Sequence, residues 1–182
     1  MFQTTFISLL RGINMMQYNR IKMPALQQIF IDLGHVDVMT YIQSGNVIFK
    51  SEQKEVVEIS ASIVERVNKI YGYSIKGQVI TNITLAEVFA SNPFLERDDI
   101  DVSKLHFTLL NEIPEGTILE NIRALSKNED EFIAVKNYIY LYCPNGYGRT
   151  KFTNNVFENK LKCQATTRNW RTVTKLTELS KA

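Results

Sequence analysis

Val38-Met39-Thr40-Tyr41-Ile42-Gln43 and Asn46-Val47-Ile48-Phe49-Lys50 are two β-prone runs set apart by Ser44-Gly45, and this stretch decides how the first half of the chain reads. Short runs of β-branched and aromatic residues around a two-residue, glycine-containing gap specify a tight hairpin with a polar tip. Upstream, Thr4 to Leu10 is a short apolar run stopped by Arg11-Gly12, which suits a buried strand. Between that strand and the hairpin, Pro24 fits a first helical turn. Leu26, Ile29, Phe30 and Leu33 then fall on one helical face before Gly34, the residue best able to take a left-handed cap. Downstream, Val56, Ile59, Ile63, Val67 and Ile70 recur at helical steps within Lys54 to Tyr71, with Glu55, Glu58, Glu65, Arg66 and Lys69 on the remaining surface. Gly72 ends that helix, and Ser74 to Ile80 reads as a strand. The order strand, helix, strand, strand, helix, strand is that of the split βαβ or ferredoxin-like unit, complete by Thr81.

The second half repeats the order without repeating the residues. A connecting helix, Leu85 to Ala90 with Thr84 as N-cap, stops before Asn92-Pro93, and Glu96 to Asp101 is an acidic, flexible stretch. Strands are expected over Lys104–Leu110, Glu131–Val135, Tyr138–Cys143 and Gln164–Thr167, with Lys136-Asn137 turning the second hairpin. Helices are expected over Thr117–Leu125, entered through Pro114-Glu115-Gly116, and over Phe152–Leu161, with an extra closing helix, Thr172–Leu179. The expected fold class is therefore α+β: a tandem duplication of two ferredoxin-like (βαββαβ) units with an extra C-terminal helix. Residues 1–82 form the first unit; residues 83–182 hold the linker helix, the second unit and the closing helix.

Of the 182 residues, 45% are apolar and 22% charged, the composition of a folded chain rather than a disordered one. A net charge of +2 is far from the basic excess of a dedicated polyanion binder, so an anionic partner has to be held by local groups. Cys143 and Cys163 are too few for a disulfide scaffold or a metal knuckle and read as reduced thiols. The start of the chain lacks a basic stretch before its apolar run and a small-residue cleavage pattern, and no apolar run reaches the length of a bilayer crossing. The expected location is the cytoplasm, with no membrane partner.

Four polar clusters interrupt the apolar segments: Arg11-Gly12-Ile13-Asn14, Gln43-Ser44-Gly45-Asn46, Gly148-Arg149-Thr150-Lys151 and Thr167-Arg168-Asn169-Trp170. Each sits where an element should end, the usual place for binding groups held by a rigid scaffold. With Leu9-Leu10 before the first, Thr40-Tyr41-Ile42 before the second, Arg171-Thr172-Val173 after the fourth, and Asn92-Pro93-Phe94 between, these motifs resemble the bacterial domain-of-unknown-function family 1697. The resemblance implies an α+β architecture of two ferredoxin-like units and implies no established activity. Family members usually follow Arg-Gly-Ile-Asn with Val-Gly-Gly, whereas this chain has Met15-Met16-Gln17. Losing that glycine pair narrows any close approach of backbone to a ligand.

As ligand groups, Arg11 and Asn14 suit a carboxylate or phosphate, since a guanidinium offers paired planar donors. The competing reading pairs Arg11 with a neighbouring carboxylate and uses Asn14 to close a turn. Ser44 and Asn46 have the donors of an anion nest and are also what a hairpin tip needs. Gly148-Arg149-Thr150-Lys151 precedes a helix, so Arg149 and Lys151 would meet an anion at its positive end. It is not a P-loop, lacking the spacer and the Gly-Lys-Ser/Thr order. Arg168, Asn169 and Trp170 could stack on a planar ligand, against which stands the common use of a lone tryptophan as a core anchor.

No catalytic residue, cofactor or metal is predicted: His35 and His106 lack ligands at zinc spacing, Ser44, Cys143 and Cys163 lack an adjacent base, and Asp98, Asp99 and Asp101 read as a solvated loop. Tyr138, Tyr140 and Tyr142 alternate along one strand, so their face is either a base-stacking platform for RNA or packing between the units. The leading expectation is a non-catalytic module binding a phosphate-bearing ligand such as a nucleotide or RNA. An enzyme acting on a small anionic metabolite and a scaffold for self-association are the alternatives.

Overall fold

The computed structural model describes residues 3–15, 17–126 and 129–181. In chain order the elements are β1 (Thr4–Arg11), α1 (Met23–Asp32), β2 (Val36–Tyr41), β3 (Asn46–Ser51), α2 (Val56–Tyr71), β4 (Lys76–Thr81), α3 (Asn82–Ala90), β5 (Leu105–Leu110), α4 (Gly116–Arg123), β6 (Glu131–Val135), β7 (Tyr138–Tyr142), α5 (Asn154–Leu161), β8 (Ala165–Asn169) and α6 (Trp170–Leu179). The chain is α+β, with two four-stranded antiparallel sheets ordered β2-β3-β1-β4 and β6-β7-β5-β8. It divides into two units, residues 1–86 with 176–182, and residues 87–175, so α3 and α6 each contribute to both.

In the first unit, register explains the core. Phe6 lies opposite Phe49 and stacks on it at 5.8 Å, and Phe30 of α1 meets Phe49 edge-on at 5.1 Å. Alternation along β1 puts Phe6 and Leu10 with Val47, Phe49 and Val79 against Leu26, Ile29 and Phe30 of α1 and Ile59, Ile63 and Val67 of α2. Both helix ends follow the sequence: Pro24 sits in the first turn of α1, and Gly72 closes α2 at φ +68°, donating its N–H to the Asn68 carbonyl at 2.8 Å.

Other boundaries shift for identifiable reasons. The first hairpin is not a two-residue turn. Tyr41 pairs with Asn46, leaving the four-residue loop Ile42–Gly45 in which Ile42 (φ +49°) and Gly45 (φ +81°) are left-handed. The second hairpin turns on Lys136-Asn137 as read, with Val135 opposite Tyr138. Helix α3 begins earlier than expected because Thr81, not Thr84, caps it: the Thr84 N–H donates to Thr81 Oγ1 at 3.1 Å. The acidic stretch after α3 is braced, since Arg97 donates to Asp99 and to Glu131 on β6, at 2.7 and 2.9 Å. The Arg97 guanidinium, bonded to it, holds the Asp99 carboxyl below its usual range.

In the second unit, Phe132 receives Phe152 and Phe157 edge-on at 4.9 and 5.8 Å, and Leu110, Ile139, Leu141 and Ala165 complete the face under α4 and α5. A chain of hydroxyls crosses the sheet edge beside it: Thr108 and Thr167 oxygens lie 2.7 Å apart, and Thr167 donates to Asn154 Oδ1 at 2.7 Å.

His35 is buried in the first unit, 4.5 Å from the Phe49 ring, and desolvation lowers its pKa below 6.5. A base whose folded pKa is lowered stays neutral in the fold while the unfolded chain takes up the proton, so stability is lost as pH falls through the unfolded value. Half-buried His106 shifts the same way. Urea midpoints are expected to drop between pH 7 and pH 5, with a shallower drop in His35→Phe; an equally steep drop in the variant would remove His35 from the account.

Candidate functional site

In the first unit, two of the four polar clusters lock onto each other. β1 runs out at Arg11, and the loop that follows is shaped by Asn14, itself left-handed at φ +49°. Asn14 accepts from the Ile21 N–H at 2.8 Å and donates through Nδ2 to the carbonyls of Ile21 at 3.0 Å and of Gln43 at 2.9 Å. The last bond reaches the hairpin tip. The Leu10 N–H also donates to the Gly45 carbonyl at 2.8 Å, and Asn19 donates to the Gly12 carbonyl at 2.6 Å. Asn46 is fully buried and donates to Ser44 Oγ at 2.9 Å and to the Tyr41 carbonyl at 3.2 Å. Gly45 packs so closely that a β-carbon there would lie 2.8 Å from Leu10 Cβ and 2.9 Å from Ile13 Cδ1. Asn14 and Asn46 therefore shape the loops, while Ser44 and its neighbours Ile42 and Gln43 are exposed. Of Met15-Met16-Gln17, Met15 and Gln17 are exposed and Met16 lies outside the described residues.

The topology sorts the charges of this unit. Antiparallel pairing sets Arg11 opposite Lys76, so the exit of β1 and the entry of β4 share one end of the sheet. The loop into α1, the hairpin loop and the end of α2 arrive at the same end, and the Tyr73 hydroxyl donates to the Arg20 carbonyl there at 3.2 Å. Residues 11–31, 38–51 and 66–86 contain no Asp or Glu. At this end they carry Arg11, Arg20, Lys22, Lys69 and Lys76, of which Arg20, Lys22, Lys69 and Lys76 are exposed. Asp32, Asp37, Glu52, Glu55 and Glu58 fall at the far end, where α1 finishes, β2 starts and β3 passes into α2, and the exposed Glu65 lies on α2 one turn before Lys69. A near-neutral chain thus has a basic pole. Lys22 occupies the cap position of α1, adding that helix's positive end, and Lys69 sits in the last turn of α2, where it also offsets the helix's negative end.

The other two clusters share an end of the second sheet, since the Thr167–Asn154 bond ties β8 to the start of α5, three residues after Lys151. Arg149 and Lys151 are exposed. Thr150 between them is buried and accepts from the Phe152 N–H at 3.1 Å, and Thr153 caps α5 by accepting from Val156. The half-buried Arg168 donates to its neighbour's carbonyl, Thr167 O, at 3.0 Å, and burial pushes its guanidinium down to about 10, so it remains charged at neutral pH. Asn169 accepts from the Thr172 N–H at 2.8 Å and so caps α6. Trp170 is 3% exposed, stacked on Phe89 at 5.7 Å and meeting Tyr140 edge-on at 6.4 Å.

The tyrosine strand is not an open platform. Tyr140 is 1% exposed and donates to the Val88 carbonyl at 3.1 Å, and Tyr142 packs on the buried Phe94. Asn-Pro-Phe has a structural use as well: Asn92 Oδ1 accepts from the Phe94 N–H, turning the chain after α3. Cys143 is buried, with its thiol pushed up to about 11, far from a reactive thiolate. Among the described residues, no group of three or more His, Cys, Asp or Glu side chains is placed to hold a metal ion, and no helix is long and apolar enough to cross a membrane.

Sequence reading missed Arg20, Lys22, Lys69, Lys76 and Tyr18. The available signal was the absence of carboxylates from three segments that meet only after the strands are ordered.

The family described as "Protein of unknown function (DUF1697)" matches residues 3–140, a span holding the first three of the five motifs in chain order. The solved structure of a conserved bacterial protein from Streptococcus pneumoniae has a TM-score of 0.76 to this chain at 20% identity, covering 100% of both, a likeness of fold. No curated protein matches.

Proposed function

This chain belongs to the DUF1697 family of proteins of unknown function, and we propose from its own geometry that it is a non-catalytic module binding a phosphate-bearing ligand through the basic pole of its first unit. One observation carries the reading: Arg11, Arg20, Lys22, Lys69 and Lys76 gather at one sheet end from segments free of carboxylates. Such segregation is worth little to folding, because exposed like charges repel, and its use is to raise the local concentration of an anion. Asn14, Ser44 and Asn46 set the loops that present these cations. Arg149, Lys151 and Arg168, with Asn169 and Trp170 holding the start of α6, form a second basic group in the other unit.

We also read each unit as ferredoxin-like and the pair as a duplication. Shared strand order supports this, as does a repeated detail: Leu10 donates to the Gly45 carbonyl of the first hairpin loop, and Leu110 donates to the Asn137 carbonyl of the second. Two free thiols support a cytoplasmic setting.

The test is fluorescence anisotropy with a labelled 12-nucleotide RNA, wild type against Arg20→Gln/Lys22→Gln/Lys69→Gln. Affinity is expected to fall on the order of tenfold or more in the variant, with a weaker salt dependence. Undiminished affinity with an unchanged salt slope would end the proposal.

A further inference from the structure

Tyr18 is 71% exposed, yet the described residues on either side of it are tied by hydrogen bonds. The Tyr18 N–H donates to the Met15 carbonyl at 2.8 Å, the Asn14 N–H donates to the Asn19 carbonyl at 3.0 Å, and the Asn14 and Asn19 side chains pin the two ends of the turn. A large ring held out to solvent beside these bonds, two residues from Arg20 and four from Lys22, is not explained by packing. A pair of rings, Tyr71 and Tyr73, stacks at 5.4 Å, and the Tyr73 hydroxyl donates to the Arg20 carbonyl at the same end. Resting on the basic-pole reading, we infer that this end takes single-stranded polynucleotide, with an unpaired base stacked on Tyr18 and the adjoining phosphates held by Arg20, Lys22 and Lys69.

Three observations select that ligand class. The cations arrive on separate segments, the loop into α1 and the end of α2, an arrangement that suits several successive phosphates. An aromatic face beside cations matches a strand whose bases are free, because bases inside a duplex are already stacked on one another. The exposed side chains on this loop and on the hairpin loop bonded to it include Gln17 and Gln43, donors and acceptors able to meet base edges or a 2′-hydroxyl. Those polar groups also argue against an anionic membrane surface. Met15 (59% exposed) and Ile42 (50%) could insert, but they would carry the amides into the apolar layer unpaired.

The experiment compares wild type, Tyr18→Ala, Tyr18→Phe and the Arg20/Lys22/Lys69 glutamine variant. The probes are a labelled 12-nucleotide oligouridylate, the matching oligothymidylate, an abasic 12-mer, a 12-base-pair RNA duplex and vesicles of phosphatidylcholine with phosphatidylglycerol. Wild type is expected to hold the two base-bearing single strands more tightly than the abasic strand, the duplex or the vesicles. A preference for oligouridylate over oligothymidylate assigns RNA, and the reverse assigns DNA. Tyr18→Ala is expected to lose about fivefold or more on the base-bearing strands and nothing on the abasic strand, while Tyr18→Phe keeps wild-type affinity. If Tyr18→Ala binds oligouridylate as wild type does while the glutamine variant does not, the stacking inference fails and the basic-pole reading survives. Equal wild-type affinity for abasic and base-bearing strands, or vesicle binding in place of strand binding, also overturns it.

Discussion

Gly45→Ala is expected to destabilise the protein by about 3 kcal/mol or more, lowering the thermal midpoint by roughly 10 °C, because two costs fall on one residue. The residue sits at φ +81°, where an L side chain is strained, and its new methyl would lie 2.8 Å from Leu10 Cβ and 2.9 Å from Ile13 Cδ1. Neither neighbour can yield easily: Leu10 is on a central strand and Ile13 is 3% exposed. Gly12→Ala separates the two costs, since Gly12 has φ +86° but nothing within 4 Å of a built β-carbon. It should show only the backbone cost, about 1–2 kcal/mol. Thermal and urea unfolding of both variants check this. Equal losses would mean that the hairpin tip does not press on the end of β1, and that the Gln-Ser-Gly-Asn motif needs another explanation.

Trp170→Ala is expected to cost about 3–5 kcal/mol, the range for deleting a buried aromatic side chain. The indole stacks flat on Phe89, with the planes 8° apart, and contacts Tyr140, so its loss opens a void where α6 meets the sheet of the second unit. Circular dichroism through a urea titration reads the change without relying on the fluorophore that is removed. A ligand-stacking tryptophan would behave the other way, with stability nearly unchanged and binding lost. Trp170→Phe should recover part of the stability, because a smaller ring can still stack on Phe89.

Element order was legible in the sequence wherever burial imposes a period. Leu26, Ile29, Phe30 and Leu33 announce α1 and its cap, and Val56, Ile59, Ile63, Val67 and Ile70 announce α2, because each helix has one wet face, and Pro24 and Gly72 mark ends with backbone chemistry that few other residues supply. The first hairpin misled because its turn is decided by tertiary packing. Gly45 is drawn against Leu10 and Ile13, so the loop widens to four residues and Ile42 becomes left-handed. The candidate site was legible only in part. Polar motifs stand out in a sequence, but Asn14 and Asn46 spend their amides on loop carbonyls and a neighbouring hydroxyl, and Trp170 is a core side chain. Arg20, Lys22 and Lys69 were invisible for the opposite reason. Each is an ordinary surface cation in its own segment, and their meaning comes from the strand order that brings carboxylate-free segments to one end.

The most direct test of that basic pole sets the Arg20→Gln/Lys22→Gln/Lys69→Gln protein beside one with the same loss of charge in other segments, Lys54→Gln/Lys160→Gln/Lys181→Gln, all three being exposed lysines that the loop into α1 and the end of α2 do not carry. Anisotropy with the labelled 12-nucleotide RNA should show weakened binding, on the order of tenfold, in the first protein and near wild-type affinity in the second. If the two variants bind alike, the attraction belongs to net charge and not to this end of the fold, and the proposed site does not exist.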